Sequence, residues 1–162
     1  MIEGFFELKT PEDLLKKLRH DLQQMELHPF DTYLAFNFFV TAEALPDWCF
    51  PGKPNSDNRK KMRNTNVYTK ITSDLASGAK HFSQLADFHD SVDQTVVSAG
   101  WFPRGSFPIG AFPPGSMGNG ALFVYLKDSL LENGEKVTSA LDLARKVLDY
   151  WETEISHRTV EN

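Results

Sequence analysis

Residues 31–45 constrain the fold more than any other stretch. They read Asp-Thr-Tyr-Leu-Ala-Phe-Asn-Phe-Phe-Val-Thr-Ala-Glu-Ala-Leu. Asp31 is a fitting helix cap, and the apolar residues that follow surround almost the whole circumference of a helix. Such a helix is normally central, so neighbours are expected to enclose it. Pro46 is expected to stop it, with Asp47-Trp48-Cys49-Phe50 as a tight exit.

The neighbours are legible on both sides. Thr10 as cap, Pro11 in the first turn, and Glu12 and Asp13 at the positive end of the dipole open a first helix. Leu14, Leu15, Leu18, Leu22 and Met25 recur at helical spacing, and Pro29 predicts an end near Leu27. Residues 2–8 suit a short strand or a packed extended arm. A polar turn-rich stretch follows through Pro51, Gly52, Pro54, Asn55 and Asp57. A third helix is expected over about 57–82, with Tyr68, Ile71, Leu75, Ala79 and Phe82 on one face and an exposed basic start.

After residue 90 the pattern changes. Thr95-Val96-Val97 and Ala121–Leu126 read as strands, and Asn133-Gly134 as a turn before a short returning strand at Glu135-Lys136-Val137. Thr138 or Ser139 caps a last helix, whose stripe is Leu141, Ala144, Val147, Leu148 and Trp151. The expected fold is mainly α, of α+β type. It is a four-helix-type bundle with a small antiparallel sheet, and a long Gly/Pro/Phe segment precedes the last helix. One domain spans 1–162: helices over 1–90, strands and repeat over 91–137, and a closing helix over 138–157. A chain of 162 residues can bury a core without staples. With 13 Phe, 3 Trp and 4 Tyr, that core is expected to be unusually aromatic.

The repeat itself is regular. Gly100, Gly105, Gly110, Gly115 and Gly120 are evenly spaced, and a large apolar residue stands two positions after each: Phe102, Phe107, Phe112, Met117 and Leu122. Pro103, Pro108 and Pro113 follow the phenylalanines. Proline and glycine at this density exclude a helix or a central strand. The segment is too short for a stacked solenoid. What remains is a ribbon whose aromatics either plug the core or anchor a partner.

Composition narrows the function classes. A single cysteine, Cys49, excludes an internal disulfide and a cysteine-based zinc site, and suggests a reducing, cytoplasmic compartment. The start, with Glu3 and Glu7, does not read as a signal peptide, and no run is long enough to span a bilayer. A net charge of -5 disfavours a broad nucleic-acid footprint. The one basic cluster is Arg59, Lys60, Lys61 and Arg63, most simply a solvated helix face. No phosphate loop or Gly-x-Ser-x-Gly elbow is present, and nothing implies a cofactor. The flanks of Cys49 suggest burial rather than a nucleophile.

Polar residues in apolar company mark the candidate site. Asn37 and Thr41 lie four apart on the second helix, with Glu43 close by. On the third, Asp74, Ser77, Gly78 and His81 share a side, while Lys80 points elsewhere. These residues either form a structural network or line a polar pocket between helices. His81 is the candidate general acid or base, with Asp74 or Lys80 beside it. His81, Asp87, His89, Asp90 and Asp93 are metal-ligand types, but without tight spacing no metal site is assigned.

The stretches Ala35–Glu43 with Asp47-Trp48, and Leu75–Phe82, together with the aromatic-glycine ribbon and the helix from Ser139 to Trp151, resemble an uncharacterised family of small bacterial and phage proteins. That resemblance implies no activity. More distantly, the helical architecture and the helical histidine are similar to the HEPN class, many of whose members are ribonucleases of toxin and defence systems. It implies RNA binding or cleavage through His81 with Asp74 or Lys80, and phosphate contacts from Arg59, Lys60, Lys61 and Arg63. The usual Arg-then-His motif is missing: Arg63-Asn64 has no histidine at that distance. The leading expectation is therefore a non-enzymatic binding protein. It would act on a protein partner or a second copy through Phe102, Phe107 and Phe112 and a pocket at Asn37, Thr41 and Glu43.

Overall fold

A computed structural model describes residues 4–81, 90–98, 121–128, 131, 134 and 136–160. Helix α1 (Pro11–Leu27) starts from a capping box. The Thr10 hydroxyl accepts from the Asp13 amide, and the Asp13 carboxylate accepts from the Thr10 amide. Lys16 and these bonds hold the Asp13 carboxyl down to about 2. Helix α2 (Thr32–Cys49) starts at Asp31, whose carboxylate accepts from the Tyr33 and Leu34 amides at 2.8 and 3.3 Å.

Pro46 does not stop α2, which runs on to Cys49. Tertiary contacts hold the extra turn. Leu45 and Pro46 are buried, and Asp47 is gripped by Arg59 at 2.9 Å and Arg63 at 2.6 Å. The expected third helix is two helices. After a 3-10 turn at Lys53–Asn55 come α3 (Ser56–Thr65) and α4 (Val67–His81). Asn66 between them is extended, and its side chain accepts from the Tyr68 amide at 2.7 Å, capping α4.

Strands β1 (Val92–Ser98), β2 (Ala121–Leu126) and β3 (Val137–Ser139) form an antiparallel sheet in that order. The third strand lies slightly later than the sequence suggests, because Tyr125 pairs with Val137 and Phe123 with Ser139. Ser139 then caps α5 (Ala140–Val160), accepting from the Asp142 amide at 3.0 Å. The fold is thus mainly helical, with a small sheet before the closing helix.

The core lies between α1, α2, α4, α5 and the inner face of β2. Leu18, Phe38, Leu45, Ile71, Leu143, Val147 and Trp151 are among its largest fully buried apolar side chains. Six of the chain's 20 aromatic residues lie outside the described residues. Phe38, Phe39 and Trp151 are the buried aromatics among the described residues, and leucine dominates. Phe5 and Phe6 are exposed around a tight turn closed by Phe5 and Leu8, and Leu8 packs against the core. Among the described residues no helix is long and apolar enough to cross a membrane.

Candidate functional site

The polar residues of α2 point in different directions. Thr41 is buried and faces α1, where its hydroxyl donates to Asp21 at 3.1 Å and accepts from Lys17 at 2.9 Å. Glu43 faces α3 and α4, taking Arg63 at 2.6 Å, with the Ser73 hydroxyl at 3.5 Å. Asn37 is exposed, and so are Lys80 and His81 at the end of α4. A single pocket joining Asn37, Thr41, Glu43 and His81 is therefore not formed. Two separate packing networks take its place, each tying α2 to a neighbour.

The basic cluster is also divided. Arg59 and Arg63 turn inward. Arg59 donates to the Phe50 and Gly52 carbonyls at 2.7 and 2.6 Å, and Arg63 bridges Glu43 and Asp47. Only Lys60 and Lys61 remain exposed. Helical spacing explains the split: positions 59 and 63 lie one turn apart on the face toward α2, with Met62 buried beside them.

Burial pushes the Glu43 carboxyl above its ordinary value of 4.5, and Arg63 offsets this only in part. Arg63→Ala is expected to lower stability at neutral pH by about 1–2 kcal/mol, between the values for exposed and fully buried pairs. A carboxyl with a raised folded pKa loses stability as pH rises from the unfolded value through the folded one. The deficit of the variant should therefore shrink on acidification toward pH 4.5, which urea titrations at several pH values would show.

Burial also pushes the Cys49 thiol up to about 11, so it is a poor nucleophile. Among the described residues no group of three or more metal-ligating side chains converges. Asp87 and His89 lie outside the described residues, as do Phe102, Phe107 and Phe112.

A different site emerges where the sheet meets the helices. An open cleft of about 510 Å³ lies between α2, α4 and the sheet, within the size range of small-molecule sites. Phe36 and Phe39 of α2, Leu75 and Ala79 of α4, and Val97 of β1 are among its walls.

Strand register explains why it is open. Leu122, Val124 and Leu126 of β2 are buried against the helices. Residues directly opposite in a sheet share a face, so their partners Val97, Thr95 and Val92 also point toward the helices. Val92 is partly buried on the core, yet Thr95 is exposed and Val97 is 52% exposed. The inner face of β1 therefore overhangs the helical layer. Phe36 opposes it across the gap and is itself 46% exposed.

The start of β1 is latched to α4. The buried Asp74 carboxylate accepts from the Ser91 amide at 2.7 Å and from the Ser91 hydroxyl. Lys70 pairs with Asp90 at 2.7 Å, and the Ser91 carbonyl accepts from the Lys127 amide at 3.1 Å. A bulge between Val92 and Gln94 follows. Past these fixed points, residues 94–97 are exposed, and no hydrogen bond or ion pair ties them to α4 among the described residues. Asp74, a sequence candidate for proton transfer, is thus sited in the cleft wall with its carboxylate engaged by Ser91.

Sequence reasoning missed Phe36 and Val97. The sequence places the first on an enclosed helix and the second on a plain strand. The signal that could have found Phe36 is its place with Tyr33 and Asn37 on one exposed stripe. Comparisons with protein-family models, curated proteins and solved structures find no match to this chain.

Proposed function

We propose that this chain is a non-enzymatic binding protein that receives an apolar ligand or partner segment in the cleft beneath β1. One observation carries the reading: Val97 belongs to the inner face of the sheet, yet stands half exposed opposite Phe36. Apolar surface left open on both walls of a cleft favours association, because closing it removes that surface from water. Two carboxylates line the cleft, Asp74 engaged by Ser91 and Asp93 at its edge, and no histidine, lysine, arginine or cysteine stands beside them among the described lining residues. On sequence grounds the Gly100–Gly120 segment, which joins β1 to β2, is a second element able to contribute aromatic anchors.

Fluorescence of anilinonaphthalene sulfonate, a dye that brightens in apolar sites, tests the reading. The wild-type chain should enhance it saturably. Ala79→Trp places a large side chain at an exposed position of the cleft wall and should reduce that signal about fivefold or more, with the far-ultraviolet spectrum preserved. Equal enhancement by both proteins would remove the cleft as the binding site.

A further inference from the structure

We infer that the occupant of this cleft is an extended peptide strand that adds to the free edge of β1, with large apolar side chains at alternate positions and a basic residue beside Asp93. The inference rests on the binding reading above and names its partner class. Three observations lead to it.

The first is the edge. The strand order is β1-β2-β3, so β1 pairs with β2 alone among the described residues. Alternate backbone N–H and C=O groups of its outer side are then available to a further strand. Natural edges are usually blunted by lysine, proline or inward charge. The run Val-Asp-Gln-Thr-Val-Val-Ser has no lysine or proline, and its bulge lies at the Val92 end, leaving Gln94–Ser98 regular.

The second is the cleft itself, which is lined by this same strand. A strand hydrogen-bonded to β1 would lie about 4.8 Å away in the plane of the sheet. Every second side chain of it would point toward Phe36 and Ala79. The ladder would supply affinity and the cleft would select large apolar residues.

The third is charge. Asp93 is exposed at the start of β1 and pairs with no cation among the described residues. A lysine or arginine on the incoming strand complements it. A second copy of this chain fits less well. Edge-to-edge pairing of two β1 strands would bring Val92, Thr95 and Val97 to the inner face, side chains too small to fill the space. It would also join two chains that each carry a net charge of -5.

The test uses the full chain and fluorescein-labelled synthetic peptides of the pattern Lys-x-Thr-x-Thr-x-Thr-Lys, with x drawn from Leu, Ile, Val and Phe. Fluorescence anisotropy should show at least one peptide binding in roughly the micromolar range. Methylating alternate peptide amides should weaken it about tenfold or more in one phase of alternation and little in the other, because only one set faces the ladder. Asp93→Lys should also weaken binding, with unchanged thermal melting.

If the dye binds but no peptide does, the strand inference fails and the cleft reading stands. Equal effects of both methylation phases would likewise overturn the ladder. If neither dye nor peptide binds, both readings fall. A dimer in sedimentation velocity that dissociates on Val96→Pro would assign the edge to a second copy instead, and overturn the peptide.

Discussion

Phe38→Ala is expected to lower the unfolding free energy by about 3–5 kcal/mol, the usual range for truncating a buried aromatic. Phe38 is fully buried on α2, and its ring meets that of Phe39 edge to face at 5.3 Å. Helix α2 packs on α1, α4 and α5, so a void there removes contacts from several elements and cannot be closed by moving one of them. A typical domain is stable by only about 5–15 kcal/mol, so the variant should approach the threshold of folding. Urea unfolding followed by circular dichroism measures the change. A loss below about 1 kcal/mol would show that Phe38 is not buried as described.

The second large effect concerns the latch. Asp74→Ala should cost about 2–3 kcal/mol, because the buried Ser91 amide and hydroxyl lose their shared acceptor. The loss should be local as well as global. Amides of β1 should exchange with solvent faster relative to those of α1 and α5, since the start of the strand would no longer be tied to α4. The cleft depends on that tie, so dye binding should fall too. Ser91→Ala removes only the hydroxyl bond and should produce a smaller effect of the same kind. Undiminished protection of β1 in Asp74→Ala would show that the latch does not hold the strand.

Much of the fold could be read before any coordinates. Thr10, Asp31 and Ser139 stand at helix starts, and β2 spans the apolar run that suggests it. These features are local: a cap or a short apolar run is decided within a few residues. The errors came where distant residues decide. Pro46 sits inside α2 because Arg59 and Arg63, from another helix, hold Asp47. The break at Asn66 was written as an asparagine cap, but the helical pattern on both sides masked it.

The site was harder to read for the same reason. Apolar residues around α2 implied complete enclosure, since composition cannot show which neighbour is missing. Phe36 is left open beside the exposed inner face of β1, an exposure that the sequence of α2 does not record. Thr41 and Glu43 looked alike as polar interruptions, yet one serves Asp21 and the other Arg63. The sequence offers Asp74 as a partner of His81 in proton transfer, whereas in the fold it is buried and held by Ser91, a partner that helical spacing cannot reveal.

The most direct measurement is an amide shift titration of the isotope-labelled chain with anilinonaphthalene sulfonate. Perturbations should cluster at Ala35–Phe39, Leu75–Ala79 and Gln94–Val97, and leave the α3 residues Arg59–Arg63 unmoved. Shifts centred on α3, or spread evenly over the protein, would contradict a binding cleft beneath β1.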